Sequence, residues 1–190
     1  MIWAFFGGYL IGSLPTADAV GRLSGVRLRD EGSGNPGAAN ALRLGGIRLG
    51  ITVLALDFAK GAGAVLLGRA LAGDAGGLTA TFAVMIGQVL NPWYGFAGGK
   101  GLGVAGGAAS AMWPPGLLVV APIIAGGARL FRAAWGALIG IAALLGLSVL
   151  WAARGWSTWW GVVPDDTLVW FALTVLVVSG PKLLSKVAGN

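Results

Sequence analysis

Long apolar runs decide what this chain can become. Near-continuous hydrophobic stretches recur along its 190 residues, and only 11% of those residues are charged, against about 25% in a soluble domain. In lipid such runs must satisfy every backbone N–H and C=O internally, which favours helices. About 20 apolar residues cross the hydrocarbon layer. The expected fold is therefore all-α: one polytopic membrane helix bundle over residues 1–190, with no room for a separate soluble domain.

Seven apolar segments are legible, at about 2–20, 49–71, 78–96, 102–112, 117–128, 133–152 and 168–179. The first has no basic stretch ahead of its apolar run, so it reads as a retained span rather than a secretory leader. Pro114 and Pro115 disfavour one continuous helix over 102–128, because each removes a backbone donor and restricts the residue before it. With an outside N-terminus and seven crossings, the basic residues divide unevenly. Arg22, Arg27, Arg29, Arg43, Arg48, Lys100, Arg129, Arg132, Lys182 and Lys186 share one side, Arg69 and Arg154 take the other, and Lys60 lies within a span. The richer side is cytoplasmic by the positive-inside rule, which also places the C-terminus there. Six crossings would leave Arg129 and Arg132 outside. Trp151, Trp156, Trp159 and Trp160 suit an aromatic belt at the opposite face. Glycine is abundant, 35 residues, and Gly8/Gly12 and Gly136/Gly140 have the four-residue spacing that lets membrane helices approach closely.

The absence of Cys and His removes disulfides, thiol catalysis, zinc sites and histidine bases from consideration. A net charge of +6 points to cytoplasmic loops and anionic partners. No basic tract interleaved with aromatics suggests nucleic-acid binding.

Two glycine-rich loops fall on the basic side: "EGSGNPGAAN" (31–40) and "FAGGKGLGVAGG" (96–107). "GSGNPG" matches a dinucleotide fingerprint by letter, but no strand precedes it and Asp57 lies inside an apolar helix. "GGKG" has Tyr94 and Gly101 where a nucleotide-hydrolysing P-loop needs Gly and Ser or Thr. What survives is simpler chemistry. Glycine-rich turns expose backbone N–H groups to anions, Ser33, Asn35 and Asn40 add polar side chains, and Lys100 and nearby arginines add charge. Asp57 and Lys60, spaced i, i+3, share one helix face and can pair. Such intramembrane charges face a bundle interior or cavity. Asp18 either orients an arginine or marks the interface.

These motifs in this order resemble the bacterial acyl-phosphate:glycerol-3-phosphate acyltransferases of the PlsY type. "YLIGSLPTA" (9–17), "GSGNPGAAN" (32–40), "DFAKG" (57–61) and "IGQVLNPWYGFAGGKGLGVAGG" (86–107) carry the resemblance. It implies seven spans with an outside N-terminus in the bacterial inner membrane, and an active site facing the cytoplasm. It also implies transfer of an acyl group from acyl phosphate to the 1-position of glycerol 3-phosphate, giving lysophosphatidate and phosphate. Neither cofactor, metal nor acyl-CoA is implied; the partners are the two substrates and membrane lipid. The chain departs from the pattern at Ala39, where Thr is usual, at Gln88, where His is usual, and over 179–190.

The expected catalytic residues are Ser33, Asn35 and Lys100. Around them, Gly32, Gly34, Gly37, Asn40, Arg43, Asp57, Lys60, Gln88, Gly98, Gly99, Gly101 and Arg129 are expected to bind substrate. The Gly98–Gly101 backbone together with Lys100 should take a phosphate. Two alternatives use the same loops without chemistry: a membrane protein that binds or transports a phosphorylated metabolite or lipid, and a homologue that modulates an acyltransferase partner.

Overall fold

A computed structural model describes residues 1–157, 160–161 and 165–188. Among them the regular structure is helical: α1 (Ile2–Ser13), α2 (Thr16–Leu23), α3 (Ala38–Val89), a 3-10 turn (Pro92–Tyr94), α4 (Leu102–Met112), α5 (Pro114–Leu130), α6 (Ala133–Arg154) and α7 (Asp166–Ala188).

Glycine and proline place the breaks. The first apolar segment is not one helix: it divides at Leu14–Pro15, where Leu14 leaves the helical region (φ −57°, ψ 125°), as a residue before proline tends to do. The second and third segments lie within α3, which bends twice. Gly46 (φ 76°) folds residues 38–45 back, so that Leu42 packs against Gly50. Ala72 and Gly73 (φ 60°) reverse the chain, so that 47–71 and 74–89 run against each other. The hairpin is tight because Gly68 and Gly76 meet backbone to backbone, and Arg69 pairs with Asp74 across it at 3.1 Å. The third segment ends at Val89 rather than Phe96, where Asn91 accepts from the Trp93 amide and starts the 3-10 turn. The break between α4 and α5 falls at Trp113, immediately before Pro114–Pro115, as the prolines require.

The glycine pairs act as the spacing indicates. Gly8 and Gly12 of α1 rest on the backbone of Ala80 and Val84 in α3, and Gly136 and Gly140 of α6 rest on Gly127 and Ile124 of α5. Gly61 and Gly107 do the same between α3 and α4. A Cβ at most of these positions would overlap a neighbouring main chain. The core therefore consists of small residues with a few large ones, Trp113, Phe171, Met85 and Met112, filling the gaps.

Long-range contacts sort the connections to two ends. At one, Arg69 donates to the Gly161 carbonyl (3.0 Å), and Trp113, Trp151 and Trp156 stack edge to face at 5.6 and 5.0 Å. Trp159 lies outside the described residues. At the other end, Asn91 donates to the Ser13 carbonyl (2.9 Å) and Lys182 reaches the Gly98 carbonyl (2.7 Å). Residues 24–37 and 90–101 gather here with Arg43, Lys100 and Lys182. The helices 133–154 and 166–188 have the length and apolarity to cross a membrane, as does the stretch containing α3.

Candidate active site

The glycine-rich loop owes its shape to one asparagine. Asn40 is buried, and its side-chain amide donates to the carbonyls of Leu28 (2.9 Å) and Glu31 (3.1 Å) while its Oδ1 accepts from the Ser33 amide (2.9 Å). Gly32 and Gly34 hold positive φ (62° and 67°), which glycine adopts without a Cβ penalty. The Gly34 amide turns back to Glu31. The loop is thus closed on itself, and Asn40 is its internal strut rather than a free phosphate ligand.

The second loop departs further from expectation. The Gly98 amide donates to Val89 O and the Gly99 amide to Gln88 O, both at 3.0 Å. These amides are already engaged with the end of α3, so the anticipated anion nest over Gly98–Gly101 does not form there. The segment instead delivers Lys100 and Gly101. Gly101 takes a left-handed conformation (φ 79°) as the residue that precedes α4.

Between the loops and the helices lies a cavity of about 530 Å³. Ser33, Asn35, Gly37, Asn40, Arg43, Asp57, Gln88, Lys100 and Gly101 border one part of it. Leu117, Val120, Ile124, Ile141, Leu144, Phe171 and Val175, from α5, α6 and α7, border the other. Two helices begin on its polar part, α3 at Ala38 and α4 at Leu102. The first amides of a helix have no partner within it, and they carry the positive end of the helix dipole. Helix starts thus add N-terminal amides to the polar part, a source the loop composition did not reveal, although Gly103 of α4 lies against Asp57.

Lys100 is half-buried, and burial first, then the charge of Lys186, hold its ammonium pKa below the ordinary lysine value. Beside the cavity, Lys60 donates to the Leu14 carbonyl (2.8 Å) and to Gln88 Oε1 (3.0 Å), with Asp57 Oδ1 at 3.7 Å. The pairing expected of Asp57 and Lys60 is present, but Lys60 itself faces away from the main cavity, into a small recess it shares with Gln88, Gly98 and Gly99. Its work is to tie the α1–α2 break to α3. Gln88, accepting there, borders both that recess and the main cavity.

Gly32, Gly34, Lys60, Gly98 and Gly99 are consequently supports around the cavity rather than lining. Arg129, at the exposed end of α5, does not line it either, because the α5 terminus turns that residue outward. Asp18 pairs with Arg22 at 3.2 Å, the arginine-orienting alternative. Sequence reasoning missed Lys182, whose ammonium donates to three carbonyls of the second loop region. Only tertiary contacts could reveal it.

Comparison with known proteins places the chain in a family. A family model described as glycerol-3-phosphate acyltransferase matches residues 2–182. A protein named glycerol-3-phosphate acyltransferase from Paramagnetospirillum magneticum is 38% identical over 159 residues, covering 80% of this chain and 77% of that one. One of the same name from Synechococcus is 45% identical over 116 residues, 60% of this chain, and the match spans 57% of that relative's length. The crystal structure of PlsY (YgiH), an integral membrane glycerol 3-phosphate acyltransferase, in its glycerol 3-phosphate form, aligns with a TM-score of 0.76 at 25% identity. That alignment covers 99% of this chain and 92% of the other. A multi-pass integral membrane helix bundle is thus the architecture of this chain.

Proposed function

The chain belongs to the glycerol-3-phosphate acyltransferase family, and from that premise we propose that it moves an acyl group from acyl phosphate to the 1-hydroxyl of glycerol 3-phosphate. The products are lysophosphatidate and inorganic phosphate. The observation that carries this reading is the divided cavity. One end offers Lys100, Arg43 and two helix starts to phosphates, and the other offers an apolar channel to an acyl chain. In the proposed topology the bundle crosses the bacterial inner membrane seven times from an outside N-terminus, with the cavity's polar end on the cytoplasmic side. The basic residues collected at that end support it.

An acyl phosphate is already activated, so no covalent enzyme intermediate is needed. The 1-hydroxyl oxygen of glycerol 3-phosphate attacks the acyl carbonyl carbon. The new ester bond forms, the bond from acyl carbon to phosphate oxygen breaks, and its electron pair leaves with the phosphate. Cys and His are absent, and the hydroxyl proton passes to a phosphate oxygen of a substrate. The protein's part is placement and charge. Arg43 holds the phosphate of glycerol 3-phosphate; Lys100 and the amides opening α4 neutralise the acyl phosphate as it departs. Ser33 and Asn35 donate to the carbonyl oxygen as it gains charge. Bringing two reactants into register is worth about 7–11 kcal/mol at best, and each well-aimed donor about 3–4 kcal/mol. Gln88, lacking a titratable proton, has a positioning role through Lys60.

The test is an assay on purified protein in lipid with palmitoyl phosphate and glycerol 3-phosphate, quantifying lysophosphatidate and phosphate. Product that disappears in Lys100→Ala, with the variant still folded in the membrane, is the expected result. Binding of both substrates without product would replace the enzyme by a non-catalytic binding homologue.

A further inference from the structure

Lys182 lies on α7, far in sequence from either glycine loop, yet its ammonium donates to the carbonyls of Gly98 (2.7 Å), Val89 (2.9 Å) and Gly99 (3.3 Å). The strand of chain entering Lys100 is thereby held on two edges. Its amides at Gly98 and Gly99 bond to the last turn of α3, and its carbonyls at the same residues bond to α7 through Lys182. One helical turn earlier on α7, Ser179 is fully buried with its Oγ against the position a Gly101 side chain would occupy (3.4 Å). The residue before Lys100 and the residue after it are therefore both seated on α7. Between them, Lys100 lines the cavity.

Lysine suits this place for a chemical reason. Three carbonyl oxygens converge, and an ammonium has three donors and no acceptor. One of those oxygens, Val89 O, belongs to the C-terminal turn of α3, where the helix dipole favours a cation. A guanidinium, with donors fixed in a plane, matches three converging acceptors less well.

We propose that Lys182 is a positioning residue for the acyl-transfer site, setting the register of residues 98–101 so that Lys100 and the start of α4 face the phosphate. The proposal rests on the acyltransferase reading for its kinetic consequence, but not for its binding consequence. It is tested by measuring affinity for glycerol 3-phosphate and, separately, for inorganic phosphate by calorimetry. The proteins are wild type, Lys182→Met, Lys100→Met and the double variant, with thermal unfolding of each in detergent and acyl-transfer kinetics alongside. Loss of hydrogen bonds from a charged donor should weaken phosphate affinity about tenfold in Lys182→Met. The same substitution made in the Lys100→Met background should cost almost nothing further, because Lys182 acts through Lys100. KM for glycerol 3-phosphate should rise more than kcat falls, and Lys182→Arg should restore part of the affinity.

A merely structural role would lower the unfolding temperature while leaving affinity per folded molecule unchanged, and that result overturns the proposal. Additive losses in the double variant overturn it as well. Should Lys182→Met fail to fold, Lys182→Gln, which keeps a polar head and fewer donors, is read by the same criteria. Wild type that binds both phosphates but forms no lysophosphatidate would refute the acyltransferase reading, while the affinity cycle still decides the role of Lys182.

Discussion

In the proposed mechanism Lys100 carries the phosphate contact, and its surroundings give it a pH signature. Burial and the Lys186 charge lower its pKa. Phosphate affinity should therefore fall on the alkaline side before the pH at which an ordinary lysine discharges. Lys100→Arg, which stays charged, should move that limb to higher pH even if its overall rate is lower; a pH profile of kcat/KM for both proteins checks this. Stability should not follow the same course. A lysine that binds its proton less well when folded than when unfolded makes the folded state more favourable as pH rises across that window. Binding and folding at this residue should respond to pH with opposite signs. Asn40 presents the contrasting case. Its amide supports three backbone groups of the 28–33 turn, so Asn40→Ala should leave buried donors and acceptors unmatched. That costs about 1–3 kcal/mol per group, seen as a lower unfolding temperature together with lost activity. Asn40→Ala that is fully active and as stable as wild type would contradict this role.

Among the helices, glycine position separates the substitutions that matter from those that do not. Gly12 faces Val84 and Gly107 faces Phe58 across helix contacts with no room for a methyl group, whereas Gly63, Gly126 and Gly146 have open space around the Cβ position. Gly12→Val and Gly107→Ala should destabilise the bundle by about 1–3 kcal/mol, the usual cost of overpacking. Alanine at the three open positions should be close to neutral. Unfolding in detergent micelles would distinguish the two groups. Gly107→Ala should also reduce turnover, since it pushes α4, with its phosphate-facing start, away from α3. The close-packing glycines were visible in sequence where they repeat at four-residue spacing. The α3 hairpin glycines, Gly68 and Gly76, were not, because hydropathy marks the break between the two segments but not which glycines meet across it.

Across the whole molecule, the cavity couples the loop-bearing end to the α5–α6 pair. Val120, Ile124, Ile141 and Leu144 form its apolar wall, which in the proposed function sets how much acyl chain fits. Val120→Trp should reduce kcat/KM for palmitoyl phosphate more than for decanoyl phosphate, since the larger side chain shortens the channel from within. Equal losses for the two donors would show that the chain lies elsewhere.

What the sequence determined by itself follows from forces that act locally. Lipid forbids unsatisfied backbone, so apolar runs became helices; Pro114 and Pro115 broke one of them; basic residues collected at one end; and the two glycine loops with Lys100 marked the proposed anion site. Tertiary structure alone decided which polar groups remain available. The Gly98 and Gly99 amides and the Asn40 side chain look like phosphate donors in sequence, but each is engaged by a partner distant along the chain or across the loop. Arg129 looks like a ligand until the end of α5 turns it outward, and Lys182 looks like a surface charge until α7 packs beside the end of α3. A hydrogen-bonding group advertises its capacity in the sequence. Whether that capacity is free depends on which other groups the fold brings within about 3 Å of it.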